Sequence, residues 1–128
     1  MEFEHLFTQD ALSVLFPSDR ADLFFEGLYG DSSEGAYDIN LVFKGQDRDT
    51  LQFEFQLVQR PGKCLACNLT FGLPEVFLRH PMIDIKGLVR EIDQMLSGQW
   101  RCTGWRLGIT REVSRKLHIL PLLITISR

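Results

Sequence analysis

The sequence predicts an α+β protein in which an antiparallel β-meander of four strands, extended by one or two C-terminal strands, carries a helix on one face. Three observations support this class. Apolar residues mostly alternate with polar ones from Ala21 to Leu73, the two-residue period of half-buried strands. After Pro81 the apolar spacing becomes helical. The chain has 128 residues and is 45% hydrophobic, which fits a single folded domain over residues 1–128.

A short helix is expected first, over Thr8 to Leu15, and Pro17 ends it because the residue before a proline disfavours the helical region. Four strands follow. Polar residues separate most of their apolar members, so one face of the sheet should be apolar and rich in phenylalanine, and the other face wet. The four apolar sets run from Leu23 to Tyr29, from Tyr37 to Phe43, from Leu51 to Leu57 and from Cys67 to Leu73.

The connections between these strands contain turn-forming residues. Segments 30–35 and 44–49 combine glycine with short polar side chains, as hairpin loops do. In the second hairpin, pairing Phe43 with Leu51 sets apolar residues opposite one another throughout. The third connection, residues 60–63, holds the Pro-Gly pair of a type II turn, and a bulge near Lys63 or Cys64 would keep the apolar faces matched.

The longest predicted helix covers about residues 84–97. Asp84 is a candidate N-cap, Gly98 is placed to end the helix, and its apolar side should lie across the phenylalanine-rich face of the sheet. The apolar positions at helical spacing are Ile85, Leu88, Val89, Ile92, Met95 and Leu96. Further on, the pattern predicts a strand over 104–110, a short helical turn over 113–120 capped by Thr110, and a last strand over 122–126 that Pro121 delimits.

Charge is distributed unevenly along the chain. Residues 1–56 carry twelve acidic and three basic side chains, whereas residues 57–128 carry five acidic and eleven basic ones. A single fold brings the two parts together, and interleaved strands place opposite charges side by side. We therefore expect mutual neutralisation across the fold, with a basic surface that holds an acidic partner or a phosphate as the alternative.

Composition and motifs exclude several classes. No apolar run approaches the roughly 18 to 20 residues of a membrane span, and the acidic start at Met1–His5 is unlike a secretory signal. Three cysteines are too few for a disulfide scaffold, so a cytoplasmic location is expected. Residues 98–108 contain three glycines but lack the lysine and hydroxyl residue of a phosphate-binding loop.

The pair Cys64 and Cys67 has the spacing of metal-chelating or redox-active cysteines. A structural zinc site needs four ligands, and Cys102 and His80 are the candidates to complete it, although they form no second close pair. In a regular strand, residues three apart point to opposite faces, which disfavours convergence of the two thiols. Three interpretations stay open: small residues beside a turn, metal ligands such as those of zinc, and a redox-active pair.

The three histidines, His5, His80 and His118, have no recognisable nucleophile motif near them, so no catalytic residue is assigned and a non-enzymatic protein is favoured. His80 precedes Pro81, where a capping or turn role is expected. His118 lies between Leu117 and Ile119 and is expected to be half-buried in a strand or turn.

A basic and aromatic cluster near the C-terminal end is the second candidate site, for an anion or a partner. Basic side chains interleaved with tryptophans suit nucleic acid or an acidic peptide, but a chain with a pI near 5.6 does not favour nucleic acid. The residues are Arg101, Arg106, Arg111, Arg115, Lys116, Trp100 and Trp105.

The predicted order of a short helix, an antiparallel meander, a long helix and further strands resembles the architecture of small dimeric secretion chaperones, which implies partner binding. The sequence thus leads to three functional hypotheses. The first is a non-enzymatic binding module for a protein partner or a second copy of the chain. The second is a metal or thiol protein that uses Cys64 and Cys67. The third is a small-ligand carrier or enzyme with a pocket between helix and sheet.

Overall fold

The computed structural model describes residues 2–31, 35–65 and 70–128 and shows an α+β fold with a five-stranded antiparallel sheet, as predicted. The helices are α1 (Glu2–Leu6), α2 (Gln9–Leu15), α3 (Asp19–Tyr29), α4 (Leu73–Arg79) and α5 (Ile85–Met95). The strands are β1 (Tyr37–Asp47), β2 (Thr50–Gln59), β3 (Arg101–Leu107), β4 (Arg111–Ser114) and β5 (Leu117–Ser127). A 3₁₀ turn at Thr70–Gly72 leads into α4.

Strand β5 is the centre of the sheet. The strand order is β1-β2-β5-β3, and β4 also pairs with β5. Strands β3 and β4 lie one after the other along the same side of β5, because β3 pairs with its C-terminal half and β4 with its N-terminal end. Because β5 pairs with β2 on one side and with β3 and β4 on the other, it joins the β1–β2 hairpin to the other two strands. All these pairings are antiparallel.

Pro121 lies within β5 and does not delimit it, contrary to the sequence prediction. The Pro121 carbonyl accepts a hydrogen bond from Gly108 N at 2.9 Å, so this residue turns its backbone nitrogen toward the 108–110 connection between β3 and β4. Proline lacks an N–H group and cannot donate a backbone hydrogen bond. Pro121 lies between the part of β5 that pairs with β4 and the part that pairs with β3, where no partner strand requires that donor. A central strand therefore accommodates a proline here.

The hairpin of β1 and β2 is confirmed, with its register shifted by two residues from the prediction. The predicted partner of Phe43 is Leu51, but Phe43 pairs with Phe53. The turn is tighter than predicted, because Asp47 already pairs with Thr50, and the register changes between Phe43 and Gly45. A shift of two residues leaves each side chain on the same face of a strand. The apolar face is therefore the predicted one. The turn at residues 60–63 is also present, with Gly62 at φ 75°.

The segment from Leu23 to Tyr29 is helical, so the first predicted strand is wrong. Ala21, Phe24 and Phe25 are all buried, at the i, i+3, i+4 spacing of a helix. The two consecutive phenylalanines, Phe24 and Phe25, interrupt the alternation that predicts a strand. Helix α3 ends at Gly30, which has the positive φ of a C-terminal cap.

Two further predicted elements need correction. The fourth strand is wrong at Thr70–Leu73, which form the 3₁₀ turn and the start of α4, while residues 66–69 lie outside the described part of the chain. The helical turn over 113–120 is also wrong, because β4 and β5 form a hairpin there. The element order that resembled secretion chaperones is therefore not the one present.

The phenylalanine-rich face of the sheet packs against the helices, as predicted. Phe53 lies 5.1 Å from the ring of Phe7 in the α1–α2 connection, measured between centroids. Phe55 lies 5.3 Å from Phe16 and 5.5 Å from Phe77. Helix α5 buries the apolar side that its spacing predicted, with Ile85, Leu88, Val89 and Ile92 in the same core.

Ion pairs join the acidic N-terminal part of the chain to the basic part. Arg60 binds Asp22 in α3 at 2.8 Å and Asp38 in β1 at 3.0 Å. Arg111 lies 3.8 Å from Glu54. These pairs agree with the expected neutralisation across the fold, although several arginines stay exposed.

Helix α5 begins at the predicted N-cap, and replacement of Asp84 tests its contribution. The Asp84 carboxylate accepts a hydrogen bond from Gly87 N at 3.2 Å, and the residue has φ 47°. We expect Asp84→Ala to lower the free energy of unfolding by about 0.5–2 kcal/mol, because the cap is lost and alanine does not favour this φ. Urea denaturation measures the loss. Asp84→Asn keeps the acceptor and tolerates the φ, so equal losses in the two variants would contradict the capping role.

Candidate functional site

The side chains of the sheet that point away from the core form a second face, which we call the open face. Its central feature is the β5 stripe, the alternate residues Leu117, Ile119, Pro121 and Leu123. Ile119 is buried, yet it does not belong to the core cluster that the helices cover. The other three stripe residues are half-buried. The stripe therefore places apolar surface on the face opposite the described helices.

A cleft of about 350 Å³ lies on the open face beside the stripe. The pairing register explains its composition: Glu54 lies opposite Pro121 across β2 and β5, and Gln52 lies opposite Leu123. The lining residues are Lys44, Gln52, Phe53, Glu54, Arg111, Pro121 and Leu123. The cleft thus has aliphatic walls on the β5 side and a carboxylate among its polar groups.

Glu54 is the buried charge of this cleft. Its side chain is 8% exposed, and its Oε1 accepts a hydrogen bond from Gln56 Nε2 at 3.1 Å. Lys44 Nζ lies 4.0 Å from Glu54 Oε1, and Arg111 Nη2 lies 3.8 Å from Glu54 Oε2. A buried carboxylate needs such countercharges because burial removes its hydration. Two cations for one carboxylate leave a local excess of positive charge.

Three of the predicted partner-contact arginines lie on the open face. Arg106 pairs with Leu123 and Arg111 with Ile119, so both border the β5 stripe, while Arg101 pairs with Ser127 at the far end of the strand. The remaining basic residues of the prediction, Arg115 and Lys116, are exposed in the connection between β4 and β5. Sequence alone therefore found part of the basic border of the open face.

The two predicted tryptophans lie on the other side of the sheet. Trp105 pairs with Ile124 and packs against the core, as does Trp100. Trp105 and Arg106 are neighbours in one strand, so their side chains point to opposite faces. The arrangement does not interleave aromatic rings with the arginines on one surface, which is what stacking against nucleic-acid bases requires.

The candidate metal residues do not form a ligand set within the described residues. Cys64 is disulfide-bonded, so its sulfur offers no thiolate to a metal, and Cys67 lies outside the described residues. Cys102 has a free thiol whose pKa is raised to about 11 by burial and by nearby Asp93. Among residues 2–31, 35–65 and 70–128, no group of three or more metal-ligating side chains is arranged to hold a metal ion. The zinc hypothesis has no support there.

His80 has the turn role that its place before Pro81 suggested. Its Nδ1 accepts a hydrogen bond from Met82 N at 3.2 Å, and its ring lies 4.8 Å from Phe24. Burial lowers the pKa of His80, which favours the neutral ring that can accept this bond. Through these two contacts, His80 packs the connection between α4 and α5 against α3.

His118 is fully buried, more deeply than the sequence indicated. Its Nδ1 lies 2.8 Å from Thr70 Oγ1, and the Thr110 hydroxyl donates to Thr70 O at 2.7 Å. This network ties the 3₁₀ turn to β5 and to the β3–β4 connection. It is a buried and hydrogen-bonded group of the core, as buried polar groups generally are.

No motif in the sequence indicates Glu54 and Lys44 as site residues. As a polar residue between apolar ones in the segment from Leu51 to Leu57, Glu54 is expected on the wet face, and it lies there. Its burial depends on Pro121 and Arg111, which are far away in sequence. The available signal was a carboxylate flanked by Phe53 and Phe55, but alternation alone cannot show that the wet face is partly covered.

None of the described helices is long and apolar enough to cross a membrane. The fold and the open face define an α+β protein with an antiparallel sheet that is covered by helices on one side. Comparison with protein families, curated proteins and solved structures finds no match to this chain.

Proposed function

We propose that the protein is a non-enzymatic interaction module whose open face binds an acidic, aliphatic segment of a partner protein. The observation that carries the proposal is the β5 stripe bordered by Arg106 and Arg111, with the cleft of Glu54 and Lys44 beside it. Apolar surface rimmed by charge is typical of protein interaction sites.

Two exposed apolar side chains lie close to Arg111 in the chain. Ile109 is 81% exposed and Val113 is 52% exposed, and they flank Arg111 on either side in the sequence. With the half-buried stripe residues, they offer a partner aliphatic contacts near a cation. Burial of such groups contributes roughly 25 cal/mol for each Å² removed from water, which is the main source of affinity in this proposal.

The charges of the face favour an acidic partner. The side chains of Lys44 and Arg111 are 52% and 66% exposed. Their nitrogens lie 4.0 Å and 3.8 Å from the Glu54 oxygens, beyond hydrogen-bond distance, so their N–H groups can donate to an incoming carboxylate. Arg106 adds a third cation beside Leu123. Lys44 lies near one carboxylate oxygen of Glu54 and Arg111 near the other. A basic partner would meet three cations against one carboxylate.

The cleft composition supports binding over catalysis. Among the residues that the structure describes, its lining contains a carboxylate, two cations and an amide, together with apolar residues, and no serine, cysteine or histidine that could act as a nucleophile or proton shuttle. The paired charges of Glu54 and its neighbours suit recognition of a complementary group.

Defined peptides test the proposal. A strand rises roughly 3.3 Å per residue, so a peptide of about eight residues spans the stripe. We expect a labelled Asp/Glu and Leu/Ile peptide to bind in a fluorescence anisotropy titration and to bind more weakly as salt is added. The same peptide with Lys in place of its acids should not bind.

Two double variants locate the binding surface. Arg106→Glu with Arg111→Glu should weaken binding of the acidic peptide by about tenfold or more, because two favourable charge contacts become repulsive. Arg115→Glu with Lys116→Glu makes the same charge change off the stripe and should leave binding within about twofold of the unchanged protein. Equal losses in both variants, or equal binding of acidic and basic peptides, would overturn the proposal. So would a homodimer, seen by sedimentation velocity, that only the first variant dissociates, because a second copy would then occupy the face.

A further inference from the structure

The two edges of the sheet differ in how far the rest of the protein covers them. β1 forms one edge, and its residues Ile39 and Leu41 are only 1% and 2% exposed. Gln9 of α2 also donates a hydrogen bond to Leu41 O at 3.3 Å. β3 lies at the opposite side of the sheet, and all of its residues are half-buried or exposed. The outer edge of β3 is therefore the more accessible of the two.

Two residues of β3 turn their backbone hydrogen-bonding groups toward this outer edge. Gly108 N donates to Pro121 O at 2.9 Å, so the groups of Gly108 point toward β5. These directions alternate along an antiparallel ladder, so Arg106 also points its N–H and C=O toward β5. Trp105 and Leu107 point theirs away from it. No hydrogen bond joins these outward groups to another residue that the structure describes.

Outward groups of this kind are a template for a further strand. A segment that lies antiparallel beside Trp105 and Leu107 supplies acceptors for both N–H groups and donors for both carbonyls. Helix α5 limits the length of this ladder, because Asp93 already accepts from Cys102 N at 2.8 Å. The accessible edge thus takes a short segment of about five residues.

The side chains of the edge select the composition of that segment. Arg106 is exposed on the open face, and a residue added opposite it forms the closest kind of cross-strand pair. An acidic residue fits there, because opposite charges on facing strands stabilise the pairing. Trp105 and Leu107 lie on the core side and are half-buried, so apolar residues fit beside them. We infer that the β3 edge binds an extended segment of another protein in which acidic and apolar residues alternate.

A second copy of the chain suits this edge poorly. Two β3 edges use all of their outward groups when Trp105 of each copy lies opposite Leu107 of the other. That register also places Arg106 directly opposite Arg106, and like charges in this position are destabilising. The edge arginine therefore disfavours self-pairing and favours an acidic partner. Arg106 is shared with the open face, but the edge site needs no contact with the β5 stripe.

Hydrogen exchange of individual amides, followed by NMR, tests the inference on the unchanged protein. The probe is a capped peptide in which three valines alternate with two glutamates, since valine favours strands. We expect the amides of Trp105 and Leu107 to exchange at least about tenfold more slowly when the peptide is bound. The amide of Arg106 already points to β5 and is the internal control. A peptide with lysines in place of its glutamates should give no protection.

Methylation of the peptide nitrogens separates strand addition from binding through side chains alone. The valines lie opposite Trp105 and Leu107, so their N–H groups face β3, whereas those of the glutamates face away. N-methyl groups on the valines should weaken binding about tenfold or more, and N-methyl groups on the glutamates should change it by less than about twofold. Equal binding of the two methylated peptides would overturn the inference.

A matched pair of variants tests the same contact from the protein side. Leu107→Pro removes an outward N–H, whereas Leu107→Ala also shortens the side chain but keeps that donor. With both variants folded by circular dichroism, we expect the proline variant to bind the peptide about tenfold more weakly than the alanine variant. No binding to the unchanged protein at millimolar peptide would overturn the inference. Binding that leaves the Trp105 and Leu107 amides unprotected would also overturn it, without contradicting binding at the open face.

Discussion

Replacing Phe55 by alanine is expected to lower the free energy of unfolding by about 3–5 kcal/mol, the range for a buried phenylalanine. Phe55 is completely buried at the centre of β2. Its ring contacts Phe16 after α2 and Phe77 in α4, so the substitution leaves a cavity between the sheet and two separate helical segments. The partners belong to different elements, and we expect little of that cavity to close.

Urea denaturation followed by circular dichroism measures this loss. Val58→Ala is the matched control, because Val58 is an apolar residue of the same strand that is half-buried on the open face. We expect it to cost less than about 1 kcal/mol. If the two variants lost the same stability, the phenylalanine-rich face would not be the core of the protein.

Substitution of Gly35 by alanine is expected to destabilise the fold by about 1–3 kcal/mol through overpacking. A Cβ at Gly35 would overlap the ring of Phe25, which is buried and held 4.9 Å from Tyr37 and 5.3 Å from Phe24 between centroids. The ring cannot turn aside without moving its neighbours. The backbone of residue 35 comes close to α3 here, and only glycine permits that approach.

Thermal unfolding distinguishes this effect from a general cost of replacing glycine. Gly104→Ala adds the same methyl group at a position where, apart from the two neighbouring residues, no atom of the described residues would lie within 4 Å of it and where φ is not positive. We expect it to change the unfolding temperature far less than Gly35→Ala does. A Gly35→Ala protein as stable as the Gly104→Ala protein would mean that Phe25 does not occupy the position described.

The sequence predicted elements whose signals are local. Helix α5 has an N-cap at Asp84 and apolar residues at helical spacing, and both features persist in the structure. The hairpin of β1 and β2 alternates cleanly, and its faces were predicted correctly even though the register was not. Local spacing decides which side of an element is buried, whereas the turn geometry decides the register.

The wrong predictions concern segments in which a local sequence signal disagrees with the structure that the segment adopts. From Leu23 to Tyr29 a chance alternation of apolar residues masked a helix, and only the adjacent Phe24 and Phe25 indicated that the segment turns both rings into the core. In β5 the presence of Pro121 suggested a strand end. In the structure, Pro121 lies between the residues of β5 that pair with β4 and those that pair with β3. A local sequence pattern does not contain this information.

The candidate sites show the same limit. Arg106 and Arg111 were predicted as partner contacts because basic residues clustered in sequence, and they lie on the open face. Their pairing with Leu123 and Ile119 could not be predicted, because β5 was expected to be short and to follow a helical turn. The cleft of Glu54 depends on that pairing. It becomes visible only when residues distant in sequence are brought together.

The central position of β5 has a consequence for synthesis of the chain. β5 follows all of its partners in sequence, so a ribosome produces β1, β2, β3 and β4 before the strand that joins them. Until β5 emerges, the nascent chain has a β2 edge with unpaired amide and carbonyl groups, and such edges invite association with other chains. Completion of the sheet is therefore a late and non-local event, and protection of the unfinished hairpin by cellular chaperones would raise the yield of folded protein.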